Sequence, residues 1–165
     1  MRNRGFTLIE LVIVLVLLSL SVALVAPSLS RFYKRVELKT AAQKISGILR
    51  YFRSESIQKG KIHQVVFDAD LREVRVRALE AEEKGEALKE REEPKSPEKR
   101  YPLPGGVQMK EMKIPSPETP SDLPVIEFYP NGGSNGGSFV IERENLKAYR
   151  IQVNFLTGVV EIKEG

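Results

Sequence analysis

Among the residues of this chain that have chemistry to offer, Glu10 has the plainest reason not to be where it is. In RGFTLIELVIVLVLLSLSVALVAP its carboxylate stands at the edge of an otherwise apolar run. An ionisable side chain at the centre of a membrane helix costs on the order of 2.5–3.5 kcal/mol, and near the end the cost is smaller but not nil. A carboxylate in this position can do one of two things. It can favour the positive end of a helix start, typically by about 0.3–1 kcal/mol, or it can pair with a cation carried by this chain or by a neighbour.

The other candidates point away from catalysis. The chain has no cysteine, which excludes disulfides, thiolate metal sites and cysteine nucleophiles. Its one histidine, His63, sits in the strand-like KIHQVVFD with no second His or Cys to complete a metal site, so a satisfied or exposed structural histidine is expected. Residues 80–100 hold 14 charged side chains in 21, eight acidic and six basic. Interleaved Lys and Arg make this a solvated loop rather than a cation site. NGGSNGG at 131–137 lacks the Gly-Lys-Ser/Thr ending of a phosphate loop and lies between two strands, so a flexible hairpin loop is expected. No Ser-His-Asp set or paired-carboxylate cleft emerges. Neither catalytic residues, cofactor, metal nor small-molecule substrate is expected.

The elements that must position Glu10 follow from the apolar patterning. Residues 11–26 are interrupted only by Ser19 and Ser21, and adding 6–9 across Glu10 gives a stretch of 21, against the roughly 20 residues that span a bilayer. A conventional secretory cleavage near Ala26 fits poorly, because Leu24 is not small and Pro27 follows directly. Basic residues flank the run on both sides, Arg2 and Arg4 before it and Arg31, Lys34 and Arg35 after it, so the charge count does not fix orientation.

Beyond Pro27, Leu29, Phe32 or Tyr33, Val36, Ile45, Ile48 or Leu49, and Phe52 recur at three- and four-residue spacings. The spacing predicts an amphipathic helix over 28–59 that buries this stripe on a β domain, closed by Gly60. Residues 61–165 read as short strands. KIHQVVFDADLREVRVRA makes a hairpin turning at 68–71, with Val65, Phe67, Val74 and Val76 inward, and GGVQMKEMKI, PVIEFYP, SFVIER, AYRIQVN and VVEIK follow. The class is α+β. With 26 basic and 22 acidic residues the net charge is only +4, which does not require a nucleic-acid partner.

RGFTLIE before a long apolar helix resembles the class III signal of type IV pilins and type II secretion pseudopilins. The resemblance implies cleavage by a prepilin peptidase between Gly5 and Phe6, N-methylation of Phe6, a role for Glu10 in assembly, and a kinking proline at Pro27. LPGGV before a strand, EFYPNGGSNGGSFVI and the terminal YRIQVNFLTGVVEI are similar to the GspH/FimT group of minor pseudopilins and minor pilins. That group implies a leader over 1–5, a transmembrane and assembly helix over 6–27 in the inner membrane, and a periplasmic domain over 28–165. It implies a structural subunit whose partners are inner-membrane lipid and the major and other minor pseudopilins. The alternative is a FimT-like minor pilin that binds DNA during natural transformation. The tail GVVEIKEG sets Glu161 and Glu164 against Lys163, so the basic term such binding needs is missing there.

Overall fold

The computed structural model describes residues 6–79, 98–116 and 121–165, and leaves the side chains of 23–28 undescribed. Most of the charged segment expected at 80–100 thus lies outside the described residues. Two compact units divide the chain, Met1–Glu37 and Leu38–Gly165.

Helix α1 runs over Leu8–Lys59, 52 residues. Leu, Val, Ala, Lys and Arg fill most of it, and Gly60 ends it with a φ of 64°, a left-handed conformation that glycine adopts without a Cβ penalty. Lys59 in the last turn faces the negative end of the helix dipole. From Leu38 onward one stripe is buried: Leu38, Ala41, Ala42, Ile45, Leu49 and Phe52. Leu29, Phe32, Tyr33 and Val36, expected on the same buried stripe, are instead exposed. Three- and four-residue spacing lays out an apolar face but does not supply a partner, and the unit that carries the strands begins at Leu38.

Eight strands follow among the described residues: β1 Ile62–Asp68, β2 Glu73–Leu79, β3 Lys99–Pro102, β4 Val107–Lys113, β5 Val125–Phe128, β6 Gly137–Arg143, β7 Tyr149–Val153 and β8 Val160–Glu164. They form two four-stranded sheets, ordered β3-β2-β1-β5 and β4-β6-β7-β8. All pairings are antiparallel. Val65, Phe67, Val74 and Val76 are buried as the alternation predicts. They join the helix stripe and Phe139, Ile141 and Ile151 of the second sheet in one core, where the rings of Phe67 and Phe139 lie 4.7 Å apart. The other side of β1 is buried too. There the Gln64 amide donates to Glu127 Oε1 at 2.7 Å and the Tyr129 hydroxyl to Glu127 Oε2 at 3.1 Å, so these buried polar atoms have partners.

Two expectations change. Lys99 and Arg100, assigned to the charged excursion, belong to β3, which pairs with β2 in the register Val76↔Lys99 to Glu73↔Pro102. The loop over 131–137 is not a hairpin: it carries the chain from β5 in one sheet to β6 in the other. Nor is it loose. Asn135 Oδ1 accepts the Glu127 amide at 2.9 Å, while its Nδ2 donates to the Val125 carbonyl at 2.9 Å and the Pro115 carbonyl at 3.2 Å.

Candidate functional site

The helix start is built by Thr7. Its carbonyl accepts the amides of Glu10 at 3.1 Å and Leu11 at 3.2 Å, and its hydroxyl accepts the Glu10 amide at 3.3 Å. Thr7-Leu8-Ile9-Glu10 has the Ser/Thr-x-x-Glu spacing of a capping box. The Thr7–Glu10 spacing carries this signal in the sequence, where reading Glu10 only through the helix dipole passes over Thr7. Glu10 is the acid of the first turn, four residues after Phe6, and is exposed. Among the described residues no basic side chain pairs with its carboxylate. Phe6 is 79% exposed, and Gly5 lies outside the described residues.

Behind this start the helix presents apolar side chains on every side. Leu8, Ile9, Leu11, Ile13, Leu15 and Leu17 are all exposed, as are the residues between and beyond them as far as Val22. A helix apolar all round requires lipid or other apolar helices about it. Ser19 and Ser21 fit that setting, since each hydroxyl donates to the carbonyl four residues back, Leu15 and Leu17, at 2.8 Å. The helix assignment continues through Pro27, whose side chain is among those undescribed. Among the described residues no helix is long and apolar enough to cross a membrane.

His63 is the remaining titratable centre. It is buried, with Nδ1 2.9 Å from Ser56 Oγ. Because the Ser56 hydroxyl donates to the Phe52 carbonyl at 2.9 Å, and the Lys61 carbonyl lies 3.3 Å from Nδ1, the hydrogen belongs on Nδ1. Nε2 then faces Glu55 Oε2 at 4.0 Å, an oxygen buried without a hydrogen-bond partner among the described residues. Burial pushes the imidazole below its ordinary value, against the opposing pull of Glu55. Burial alone would raise the Glu55 carboxyl, but its hydrogen bond and ion pair with Lys59, with His63 and Lys99 adding to them, hold it below the usual carboxylate range. Ser56 is fully buried, so no substrate reaches its hydroxyl. The trio fastens the end of α1 to β1. Among the described residues no cluster of His, Asp or Glu has the makings of a metal site.

Comparison with known proteins bears on the amino-terminal helix and on the fold. Residues 1–26 match the prokaryotic N-terminal methylation motif. The chain is 23% identical to type II secretion system protein H of Xanthomonas campestris pv. campestris, over 98% of this chain and 83% of that protein. Its fold is similar to that of the minor pseudopilin EpsH from the type 2 secretion system of Vibrio cholerae, with a TM-score of 0.56 at 20% identity over 78% of this chain and 97% of that one. It is similar too to the type IV minor pilin FimU of Pseudomonas aeruginosa, with a TM-score of 0.56 at 15% identity, covering 80% and 92%. The α+β architecture of a long helix followed by antiparallel sheets is therefore that of pilin-like proteins.

Proposed function

We propose that this chain is a minor pseudopilin of the H type, a structural subunit of the type II secretion pseudopilus. The observation that carries the reading is the methylation motif over residues 1–26, which takes in the apolar start of α1, together with the two-sheet domain that follows the helix. A prepilin peptidase cuts after Gly5, and Phe6 becomes the N-methylated first residue. The helix over 6–27 is held in the inner membrane, its 21 apolar-run residues matching the hydrocarbon thickness, with Pro27 free to bend it. Residues 28–165 stand in the periplasm.

Glu10 then has its cation. Cleavage creates an α-amine with a reference pKa of about 8, and a subunit that leaves lipid to pack among other helices carries that charge into an apolar setting. Glu10 of one subunit neutralises the Phe6 amine of the next, which makes charge pairing a condition of assembly with the major and other minor pseudopilins. The role is structural and not catalytic. Mass spectrometry of the purified amino terminus tests the reading: the mature chain begins at methylated Phe6, and Gly5→Val stays uncut. An intact Met1 on the wild-type protein, or a start near Pro27, would overturn it.

A DNA-binding minor pilin is the second reading. The carboxy-terminal basic residues argue against it, since Lys163 pairs with Glu161 at 3.1 Å and Lys147 with Glu164 at 3.7 Å.

A further inference from the structure

The segment that follows the apolar run has a composition that neither helix packing nor the β domain uses. Between Leu29 and Val36 three cations, Arg31, Lys34 and Arg35, stand beside an aromatic pair, Phe32 and Tyr33. All are exposed, the two rings by 59% and 64%, and the rings meet edge to face at 6.3 Å. At helical periodicity Leu29, Phe32, Tyr33 and Val36 make one stripe and Arg31, Lys34 and Arg35 the other. The segment holds no acid, and Glu37 is the first that follows it. An amphipathic tyrosine and an apolar phenylalanine beside cations, immediately past an apolar helix, suit a headgroup layer, Tyr33 at its inner edge, Phe32 on the hydrocarbon side and the cations among its phosphates.

The charge balance sharpens this. Before cleavage Arg2 and Arg4 flank the run on its amino side. Afterwards the mature chain from Phe6 to Ser30 has no lysine or arginine, so every basic side chain beside the span lies on its carboxy side. That is the reverse of the usual bias toward basic residues on the cytoplasmic side, and it sets three exposed cations where anionic headgroups can meet them. We infer that residues 29–36 form a lipid-binding collar whose cations hold anionic phospholipid headgroups on the periplasmic face of the inner membrane. The inference rests on the membrane-anchored reading above. It adds a regulatory consequence: a subunit gives up these headgroups when it moves into the filament, so the anionic lipid content of the membrane sets how readily it leaves.

The test uses the full chain reconstituted in phosphatidylcholine bilayers with trace spin-labelled phosphatidylglycerol or phosphatidylcholine. Motionally restricted phosphatidylglycerol should exceed phosphatidylcholine by about fivefold at low salt, the equivalent of the ~1 kcal/mol that one basic residue gains beside an anionic surface. The preference should collapse at high salt and in the triple variant Arg31→Gln, Lys34→Gln, Arg35→Gln. Because the chain has no cysteine, a nitroxide on Tyr33→Cys reads depth uniquely, and it should lie at the headgroup level. Alkaline carbonate extraction separates the two ideas. A protein released by carbonate overturns the anchored reading and the collar with it. A protein retained without lipid preference, or with a preference that survives in the triple variant, overturns the collar alone. So does a triple variant that keeps the preference but loses co-purification with other pseudopilins, which would assign the cations to subunit packing.

Discussion

At Glu10 the two possible roles differ in size. If the carboxylate only favours the helix start, its loss costs about 0.3–1 kcal/mol, too little to exclude a subunit held by a long apolar helix. If it neutralises a neighbour's amine, Glu10→Gln should be inserted and cleaved normally yet fail to co-purify with the major subunit, because the amide keeps shape and hydrogen bonding but not charge. Normal incorporation of Glu10→Gln would remove the pairing account and leave the cap formed by Thr7. At His63 the prediction concerns pH. The folded-state imidazole titrates below the unfolded value of about 6.5, so the unfolded chain binds the proton more readily. The stabilisation is complete above that value and is lost as pH falls through it toward the folded pKa. Glu55, also lowered, adds a loss in the carboxylate range. Thermal melts between pH 8 and 3 should fall on the acid side, and His63→Gln should flatten the upper part of that fall while leaving the lower.

Among the elements, all the strands but β3 declared themselves and their partners did not. Val65, Phe67, Val74 and Val76 alternate as half-buried strands must, and their burial follows. β3 escaped notice because Lys99-Arg100-Tyr101-Pro102 has no apolar alternation, its place being set by register with β2 and by Arg100 and Arg75 both reaching Glu98, at 3.1 and 3.8 Å. The glycines of 131–137 read as freedom because sequence shows local permissiveness, whereas the loop is ordered by distant groups: Asn135 bonds to β5 and to Pro115, and the Ser134 amide donates to the Phe155 carbonyl at 2.9 Å. A glycine that could be judged from its turn is Gly158, in a left-handed conformation with φ of 62°. A Cβ there would lie 2.6 Å from the Gly132 carbonyl oxygen. Gly158→Ala should therefore destabilise the domain by about 1–3 kcal/mol, read by denaturant melts, while Gly47→Ala, where a Cβ meets nothing within 4 Å, should not.

For the whole molecule the division at Glu37 and Leu38 makes a prediction about what folds alone. Since Leu29, Phe32, Tyr33 and Val36 are exposed, they add nothing to the core. Fragments starting at Ser28 and at Lys34 should give the same cooperative melt, whereas Leu49→Ala, which empties a fully buried site, should cost about 2–5 kcal/mol. A lower midpoint for the shorter fragment would show that the core reaches further back along the helix. The fragment starting at Ser28 should bind duplex DNA no more tightly than about 1 μM at physiological salt, the range of sequence-independent binding, as a gel-shift titration can establish. Tighter binding would raise the DNA-uptake reading above the secretion one.

Arg50 and Arg53 near the end of α1 carry a consequence of a mechanical kind. Arg53 Nε donates to the Thr157 carbonyl at 2.8 Å and the Gly132 carbonyl at 3.3 Å, and Arg50 Nη2 to the Val160 carbonyl at 3.1 Å. Tension applied along the helix thus reaches the β7–β8 hairpin and the inter-sheet crossover through these side-chain bonds as well as through the core that the helix shares with the sheets. The domain should yield at a lower force in an Arg53→Ala variant pulled by its helix, even where its equilibrium stability changes little.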